Sequence, residues 1–273
     1  RTLQGLPEVL RRHHVDPDAF LARFGLSTDS LAAPNQYISY WLYSDVLHAA
    51  ASACETPHLG LLLSQADTHL LYSQGALGML LKYCDTVGDA LEAVIRYYHA
   101  ISGGASYELQ IEGDDALFVR EGLVPGLKHD RILQDLSLAD FVAAGRKALG
   151  RDWSPAQVLF TYDQPGDLTP YETVLGCPIE FNAGLQAMRF PARDLRQEIR
   201  ASAALREELL RDLVSRARSE SERSLTGAVS HVVDVLLPTG ICCVNSVAEL
   251  FNVHARTLHR RLKREGSTFA RIL

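Results

Sequence analysis

The chain has 273 residues, of which 47% are apolar and 22% are charged. This composition is typical of a globular protein with a hydrophobic core, and it excludes a disordered, collagen-like or coiled-coil chain. No run of 18 apolar residues and no charged-then-apolar leader occurs, which argues against a membrane protein or a secreted one. Five cysteines without a CxxC pair are typical of free thiols in a reducing compartment. The sequence therefore predicts a cytoplasmic protein.

Charge is distributed unevenly along the chain. The net charge is −6 overall, but residues 192–273 carry 14 basic and 10 acidic side chains, while residues 1–191 carry 13 and 23. An acidic N-terminal part and a basic C-terminal part indicate two domains with different partners. Clustering on a solvated helix face is the alternative that charge alone leaves open.

The first hundred residues show helical periodicity. Asp16-Pro17 provides an N-cap followed by proline at the first helical position, which predicts a helix start. The last of these helices begins at Thr86 or Asp89. The predicted helices cover residues 6–14, a segment from 17 onward, 40–54, 75–83 and 86–101.

A hairpin is predicted next, because period-2 patterns over 106–112 and 116–122 flank Gly113-Asp114-Asp115. The acidic residues Glu112, Asp114 and Asp115 therefore belong to a turn rather than to a catalytic carboxylate pair. A helix over 129–149 and strands over 157–162, 178–181 and 187–190 follow. Residues 1–194 are thus predicted to form one α+β domain.

Residues 195–224 are predicted to form a helical linker. Leu205, Leu209 and Leu213 form one apolar stripe, which either packs on the chain's own core or forms a dimer seam. Residues 225–273 form the remaining unit, which is predicted to be all-α, and Pro238-Thr239-Gly240 interrupts its helices.

The segment from Ser246 to Gly266 predicts two short helices joined by a tight turn. Ser246 is predicted to be the N-cap of the first helix, with Glu249 completing a capping box, and Asn252 suits the left-handed turn position. This is the plan of a helix-turn-helix. Its predicted core consists of Val247, Leu250, Val253, Leu258 and Leu262.

The second helix divides into two faces at about 100° per residue. His259, Arg260 and Lys263 fall within about 60° of Arg256, and Leu258 and Leu262 lie on the opposite side. A helix that enters the major groove needs this division, and arginine suits guanine recognition. Arg256, His259 and Arg260 are predicted to contact bases, and Lys263 and Arg264 to contact phosphates. A basic surface helix without a DNA ligand is the alternative.

The segment VAELFNVHARTLHRRLKREGSTF (247–269) closely resembles the first helix-turn-helix of the AraC/XylS family of bacterial transcription regulators. The matching positions are Val247-Ala248, Arg256-Thr257-Leu258, Arg260-Arg261-Leu262, Glu265-Gly266 and Phe269. Phe251-Asn252 replaces the usual Leu-Gly, and His254 replaces the usual capping serine, which weakens the second helix's N-cap. The family carries a second helix-turn-helix, so a chain that stops at Leu273 is predicted to be a truncated regulator.

The N-terminal part resembles the arabinose-binding-like domain of one branch of this family. The resemblance lies in GALGMLLKYCDTVGDALEAVIRYY (75–98) and in Trp153, Pro155, Val158, Phe160, Tyr171, Gly176-Cys177-Pro178 and Phe181. It implies a homodimeric transcription factor that binds promoter DNA and a small-molecule effector, with RNA polymerase as a further candidate partner. No cofactor or metal is implied.

The effector is predicted to bind among the helices of residues 75–101 and the strands. Arg96, Tyr97, Tyr98 and His99 are the candidate lining residues, with core or surface roles as the alternative. No HExxH, GxSxG, P-loop or GxGxxG pattern occurs, so an enzyme is not predicted. The competing function is a ligand- or partner-sensing dimerisation protein in which DNA binding is secondary.

Overall fold

The structure is a computed structural model, and it describes residues 3–32, 38–66, 84–100, 102–199, 224–236, 242–251 and 253–273. The described elements comprise a mixed α/β part over residues 3–199, called the body here, and four helices over residues 224–273, called the helical unit. Within these ranges, no helix has the length and apolarity needed to cross a membrane.

Five helices begin the body, and their apolar faces pack into one core together with the start of a later helix. Asp16 accepts a hydrogen bond from Asp18 N at 3.0 Å, which confirms the predicted N-cap. The predicted helix over 75–83 lies outside the described residues. The five helices are α1 (Leu6–Arg12), α2 (Pro17–Ala22), α3 (Thr28–Ala32), α4 (Tyr40–Ala53) and α5 (Leu59–Ala66).

Helix α6 (Val87–Tyr97) is followed by a 3-10 turn over Tyr98–Ala100. Of the two predicted starts, Thr86 is the N-cap: its side chain accepts from Asp89 N at 3.2 Å, and Thr86 N donates to the Asp89 carboxylate at 3.1 Å. This reciprocal capping box fixes the start of the helix.

A five-stranded sheet forms the second half of the body. Its strands are β1 (Ala105–Glu112), β2 (Asp115–Gly122), β3 (Gln157–Leu159), β4 (Ile179–Glu180) and β5 (Gln186–Pro191). Their order in the sheet is β1-β2-β5-β3-β4. All its pairings are antiparallel except β3 with β4. Gly113 forms the hairpin turn with φ +64°, and Arg189 lies 3.5 Å from Glu112 and 3.6 Å from Asp115, so these carboxylates belong to the hairpin as predicted.

Strand β3 is shorter than predicted, because the chain leaves the strand conformation after Leu159. Phe160 N still bonds to Glu180 O at 2.9 Å. Thr161 N, however, donates to the Gln134 side chain at 3.2 Å instead of to the backbone of a neighbouring strand. The predicted strand over 178–181 is likewise reduced to β4. Helix α8 (Thr169–Leu175), which no sequence pattern predicted, lies between them.

Helix α7 (Arg131–Leu149) packs across the sheet and joins the two cores of the body. The Phe118 ring on β2 contacts the Phe141 ring on α7 at 4.9 Å between centroids. A 3-10 turn over Ala192–Arg196 follows β5, and Ile199, which is 5% exposed, bonds through its N–H to Asp85 O at 3.0 Å. This bond and the burial of Ile199 attach the end of the body to the residues just before α6.

Candidate functional site

The helical unit has its own small hydrophobic core. Its helices are α9 (Leu225–Leu236), α10 (Val244–Leu250), α11 (Ala255–Arg264) and α12 (Phe269–Ile272). Val247, Leu258 and Leu262 have no exposed surface and pack against the valines of α9 and against Phe269. Removing such side chains from water is the main stabilising contribution available to a unit of this size.

Helix α10 begins earlier than the sequence analysis predicted. The first helical hydrogen bond runs from Val247 N to Cys243 O at 3.0 Å, and Ser246 N donates to Cys243 Sγ at 3.4 Å. The prediction that Ser246 is the N-cap is therefore wrong, because Val244 and Asn245 add residues to the helix start. Cys243 occupies the capping position, and the side chain of Glu249 lies outside the described residues.

A tight turn connects α10 to α11. Val253 N bonds back to Ala248 O at 3.0 Å, which ends α10, and Thr257 N bonds to His254 O at 2.8 Å, which begins α11. His254 is the N-cap residue, and its side chain makes no capping hydrogen bond, in agreement with the weakened cap predicted there. Asn252 lies outside the described residues.

The other end of α11 is closed by a left-handed glycine. Gly266 has φ +74°, and Ser267 N bonds to Leu262 O at 3.0 Å. This return of the backbone satisfies a terminal carbonyl and directs the chain toward buried Phe269. The helix thus has defined ends, and its two faces are fixed relative to the core.

The exposed side of α11 carries a continuous basic face, defined by Arg256, His259, Arg260 and Lys263. These four side chains are exposed and border an open groove together with His254 and Thr257. Among the described residues, none of the charged side chains of this face forms an ion pair with a carboxylate. Their donors are therefore available to an external acceptor.

The body contains an apolar cavity between α6, α7 and the sheet. Leu91 and Val94 line it from α6, Phe141 and Leu149 from α7, and Trp153 closes one side. The Trp153 indole N–H donates to Asp194 at 3.0 Å, which satisfies the one carboxylate at the cavity. The cavity walls offer contacts to an apolar group and almost none to a polar one.

A buried carboxylate in the body is fully partnered. Asp135 has no exposed surface, accepts hydrogen bonds from the hydroxyls of Tyr162 and Tyr171, and lies 3.7 Å from Arg131 Nε. Burial raises the pKa of Asp135 to about 7 and outweighs these three partners, which lower it. The network ties α7 to α8 and to the segment after β3.

Comparison with known families places the chain. Residues 15–199 match the family described as the arabinose-binding domain of AraC transcription regulators, which is more than half of the chain. The chain belongs to the AraC family of transcription regulators.

Proteins that are named as regulators are similar to this chain along most of its length. The HTH-type transcriptional regulator VirS of Mycobacterium tuberculosis is 25% identical over 267 residues, which covers 97% of this chain and 78% of VirS. The ornithine utilization regulator of Pseudomonas aeruginosa is 22% identical over 292 residues, covering 99% and 79%. The crystal structure of the transcriptional regulator CdpR from Pseudomonas aeruginosa aligns with a TM-score of 0.50 at 20% identity over 93% of this chain and 81% of CdpR, a likeness of fold.

In this AraC-family chain, the residues predicted to contact DNA lie on the exposed side of α11. The residues predicted to form the core lie on the other side of α11 and in the segments that precede it. Arg256, His259 and Arg260 are exposed on the first two turns of α11, and Lys263 and Arg264 are exposed on its last turn. In the predicted core, Val247, Leu258 and Leu262 are buried and Val253 is half-buried. The side chain of Leu250 lies outside the described residues.

The four predicted effector-lining residues do not share one location. Arg96 and His99 are exposed, and Tyr97 packs against the outside of the body core. Of these four residues, Tyr98 is the one that lies in a buried cluster of polar side chains. Its ring contacts the Tyr107 ring edge-on, at 4.7 Å between centroids. Burial raises the pKa of the Tyr98 hydroxyl well above its usual range.

Arg120 is the member of this cluster that sequence reasoning missed. It follows Ala116 and Phe118 on the inward-facing register of β2, and it is 5% exposed. An arginine at an inward position of a half-buried strand is unusual, because charged side chains are rarely buried. The period-2 pattern of the strand was the signal that could have identified it.

Proposed function

We propose that this chain regulates transcription by binding double-stranded promoter DNA through α11, under the control of a small-molecule effector bound by the body. The basic face of α11 is the observation that carries the proposal. Leu258 and Leu262 hold the helix from behind with no exposed surface, so Arg256 and Arg260 project from a fixed support. A recognition helix requires such a buried back and a donor-rich front.

The chemistry of the basic face suits two kinds of DNA contact. Arg256, His259 and Arg260 lie in the N-terminal part of α11, where recognition helices place the side chains that contact base edges. The arginine guanidinium can donate two hydrogen bonds to O6 and N7 of one guanine. Lys263 and Arg264 lie near the C-terminal end, where we assign them to phosphates, which add affinity without sequence discrimination.

The names of the relatives support both halves of the proposal. VirS is called an HTH-type transcriptional regulator, and another relative is called a regulator of ornithine utilization, which links that protein to a small molecule. The matched domain is described as arabinose-binding. From these names we infer only the class of function of this chain: a DNA-binding regulator with a domain that binds a small molecule.

The proposal is tested by comparing specific with random DNA. A duplex is first enriched from a random library by the parent chain, and binding of variants to this duplex and to a random one is measured by fluorescence anisotropy. Arg256→Ala and Arg260→Ala should each lose about 1–3 kcal/mol on the enriched duplex and little on the random one. Arg261→Ala, on the same helix but outside the basic face, is the matched control and should show no such preference.

Equal losses on the two duplexes would contradict the proposal. If Arg256→Ala and Arg260→Ala weaken both duplexes equally, α11 is not the reading element. The sensing and dimerisation protein that the sequence left as an alternative would then be the better description.

A further inference from the structure

Arg120 is a buried cation without a carboxylate partner. It is 5% exposed on β2, and no described carboxylate lies within 4.0 Å of its guanidinium. A buried charge is normally retained beside an opposite charge, because desolvation is otherwise uncompensated. Asp135 in the same body follows this rule through Arg131, whereas Arg120 does not.

The hydrogen bonds of Arg120 leave one edge of the guanidinium incompletely used. Nη1 donates to Gln186 Oε1 at 3.0 Å, and Nη2 donates to the Tyr40 hydroxyl at 3.2 Å. Nε is buried and has no hydrogen-bond partner. A buried N–H without an acceptor is rare in folded proteins and requires a physical explanation.

The surroundings of Arg120 are neutral and aromatic. Its main electrostatic interactions are with the hydroxyls of Tyr107, Tyr40 and Tyr98, and Tyr107 also contributes a side-chain hydrogen bond. The Tyr107 ring stacks on Phe118 at 5.3 Å between centroids. Gly104 packs against the Tyr40 ring so closely that no Cβ would fit there. These residues come from α4, from the turn after α6 and from the first two strands, so the tertiary fold assembles the cluster.

Gln186 is held in a fixed orientation behind the guanidinium. Its Nε2 donates to Gln134 O on α7 at 3.3 Å, which leaves its Oε1 to accept from Arg120. The plane of the guanidinium is thereby set by the sheet and by α7. An arginine whose fork is held in this way binds a planar, two-oxygen acceptor better than a flexible cation would.

We propose that Arg120 binds the carboxylate group of the effector, with one oxygen on Nε and the other on Nη2 in place of the Tyr40 hydroxyl. This inference rests on the proposed function, since it names the chemical class of the small molecule that the body senses. The effector is a small organic acid, and the tyrosine rings around Arg120 contact its organic part. One of these tyrosines is Tyr98, which the sequence analysis predicted to line the effector site.

Nitrogen NMR of the full chain tests the assignment directly. The chain is labelled with ¹⁵N-arginine, and the Nε–H signal of Arg120 is identified by its loss in Arg120→Lys. Acetate, benzoate and octanoate are each titrated to about 20 mM, a range that detects millimolar dissociation constants. At least one acid should shift the Arg120 signal saturably, while acetamide, benzamide and octanamide should not.

Variants separate binding from folding. Tyr40→Phe keeps the guanidinium and frees Nη2, so it should bind the active acid at least as tightly as the parent chain. Arg120→Lys keeps the charge but loses the fork, and it should bind at least about tenfold more weakly. Arg189→Lys is the matched control, because Arg189 already faces Glu112 and Asp115, and it should leave binding unchanged.

Three results would overturn the assignment. These are the lack of any shift with all three acids, an equal shift with the amides, and a tighter response to inorganic phosphate than to the acids. Each result leaves the DNA measurements on α11 variants untouched, so failure of this inference is distinguishable from failure of the proposed function.

Discussion

Glu265, directly after α11, caps the N-terminus of α9 through Thr226. Its Oε2 accepts from the backbone N–H and from the hydroxyl of Thr226, both at 2.8 Å, and its Oε1 accepts from Leu225 N at 3.0 Å. One carboxylate thus satisfies two otherwise unpaired N–H groups of a helix start 39 residues earlier in the chain. The contact ties the end of α11 to the first helix of the unit.

Replacing this carboxylate should loosen the start of α9. We expect Glu265→Ala to destabilise the helical unit by about 0.5–2 kcal/mol, the usual range for a lost N-cap. Amide hydrogen exchange of Leu225 and Thr226 measures the effect locally. Glu108→Gln, at an exposed position of β1, is the control. Unchanged exchange at both amides in Glu265→Ala would show that the cap has no energetic role.

The same contact gives the helical unit a pH dependence of known sign. The hydrogen bond from Thr226 N is the largest influence on Glu265, and it lowers the pKa of this side chain below its ordinary value. A carboxylate with a lowered folded pKa contributes stability that is present above its unfolded pKa, about 4.3, and is lost as pH falls through the folded pKa. Protection of the Leu225 and Thr226 amides should therefore decrease below about pH 4 in the parent chain, relative to the intrinsic exchange rates. Glu265→Gln should remove this decrease.

Lys263 should act on affinity without acting on sequence preference. Because we assign its ammonium to a phosphate, Lys263→Ala should weaken binding to enriched and random duplexes by similar factors. The slope of log K against log salt should become shallower by about one unit. Titrations at several salt concentrations measure this slope, and Lys128→Ala in the body should leave it unchanged. Selective loss on the enriched duplex would instead assign Lys263 to a base.

Leu258 should act through stability rather than through DNA contact. It has no exposed surface and packs in the core of the helical unit. Leu258→Ala should cost about 2–5 kcal/mol, from lost burial and the cavity left behind. Urea unfolding, monitored by hydrogen exchange of the backbone amides in α9 and α11, measures the change in unfolding free energy. Arg261→Ala, at an exposed position, is the control. A loss under about 0.5 kcal/mol, typical of surface sites, would contradict this placement.

Gly60 should tolerate no side chain. A Cβ there would lie 2.7 Å from Leu136 N and 2.8 Å from Asp135 Cβ, so α5 and α7 could not keep their present separation. Gly60→Ala should destabilise the body by about 1–3 kcal/mol through overpacking. Thermal unfolding of the body measures this, and Gly166→Ala, where nothing lies within 4 Å, should be nearly neutral. Equal melting temperatures for the two variants would contradict the close approach.

The sequence by itself determined the features that depend on neighbouring residues. The caps at Asp16 and Thr86, the hairpin turn at Gly113 and the end of α11 at Gly266 follow from local backbone chemistry, and the structure has them. The division of α11 into a buried and a basic face follows from helical periodicity in the same way. Each of these signals lies within a few consecutive residues, so it can be recognised before the tertiary structure is known.

Only the tertiary structure decided which distant side chains meet. Arg120 bonds to Gln186, 66 residues away, and to Tyr40, 80 residues away, and Glu265 reaches across 39 residues to Thr226. The early end of β3 depends on Gln134 in the same way. Local patterns contain no information on such pairings, because each requires two elements to be packed together first. The basic face was therefore predictable from the sequence, whereas the burial of Arg120, on which the effector proposal rests, was not.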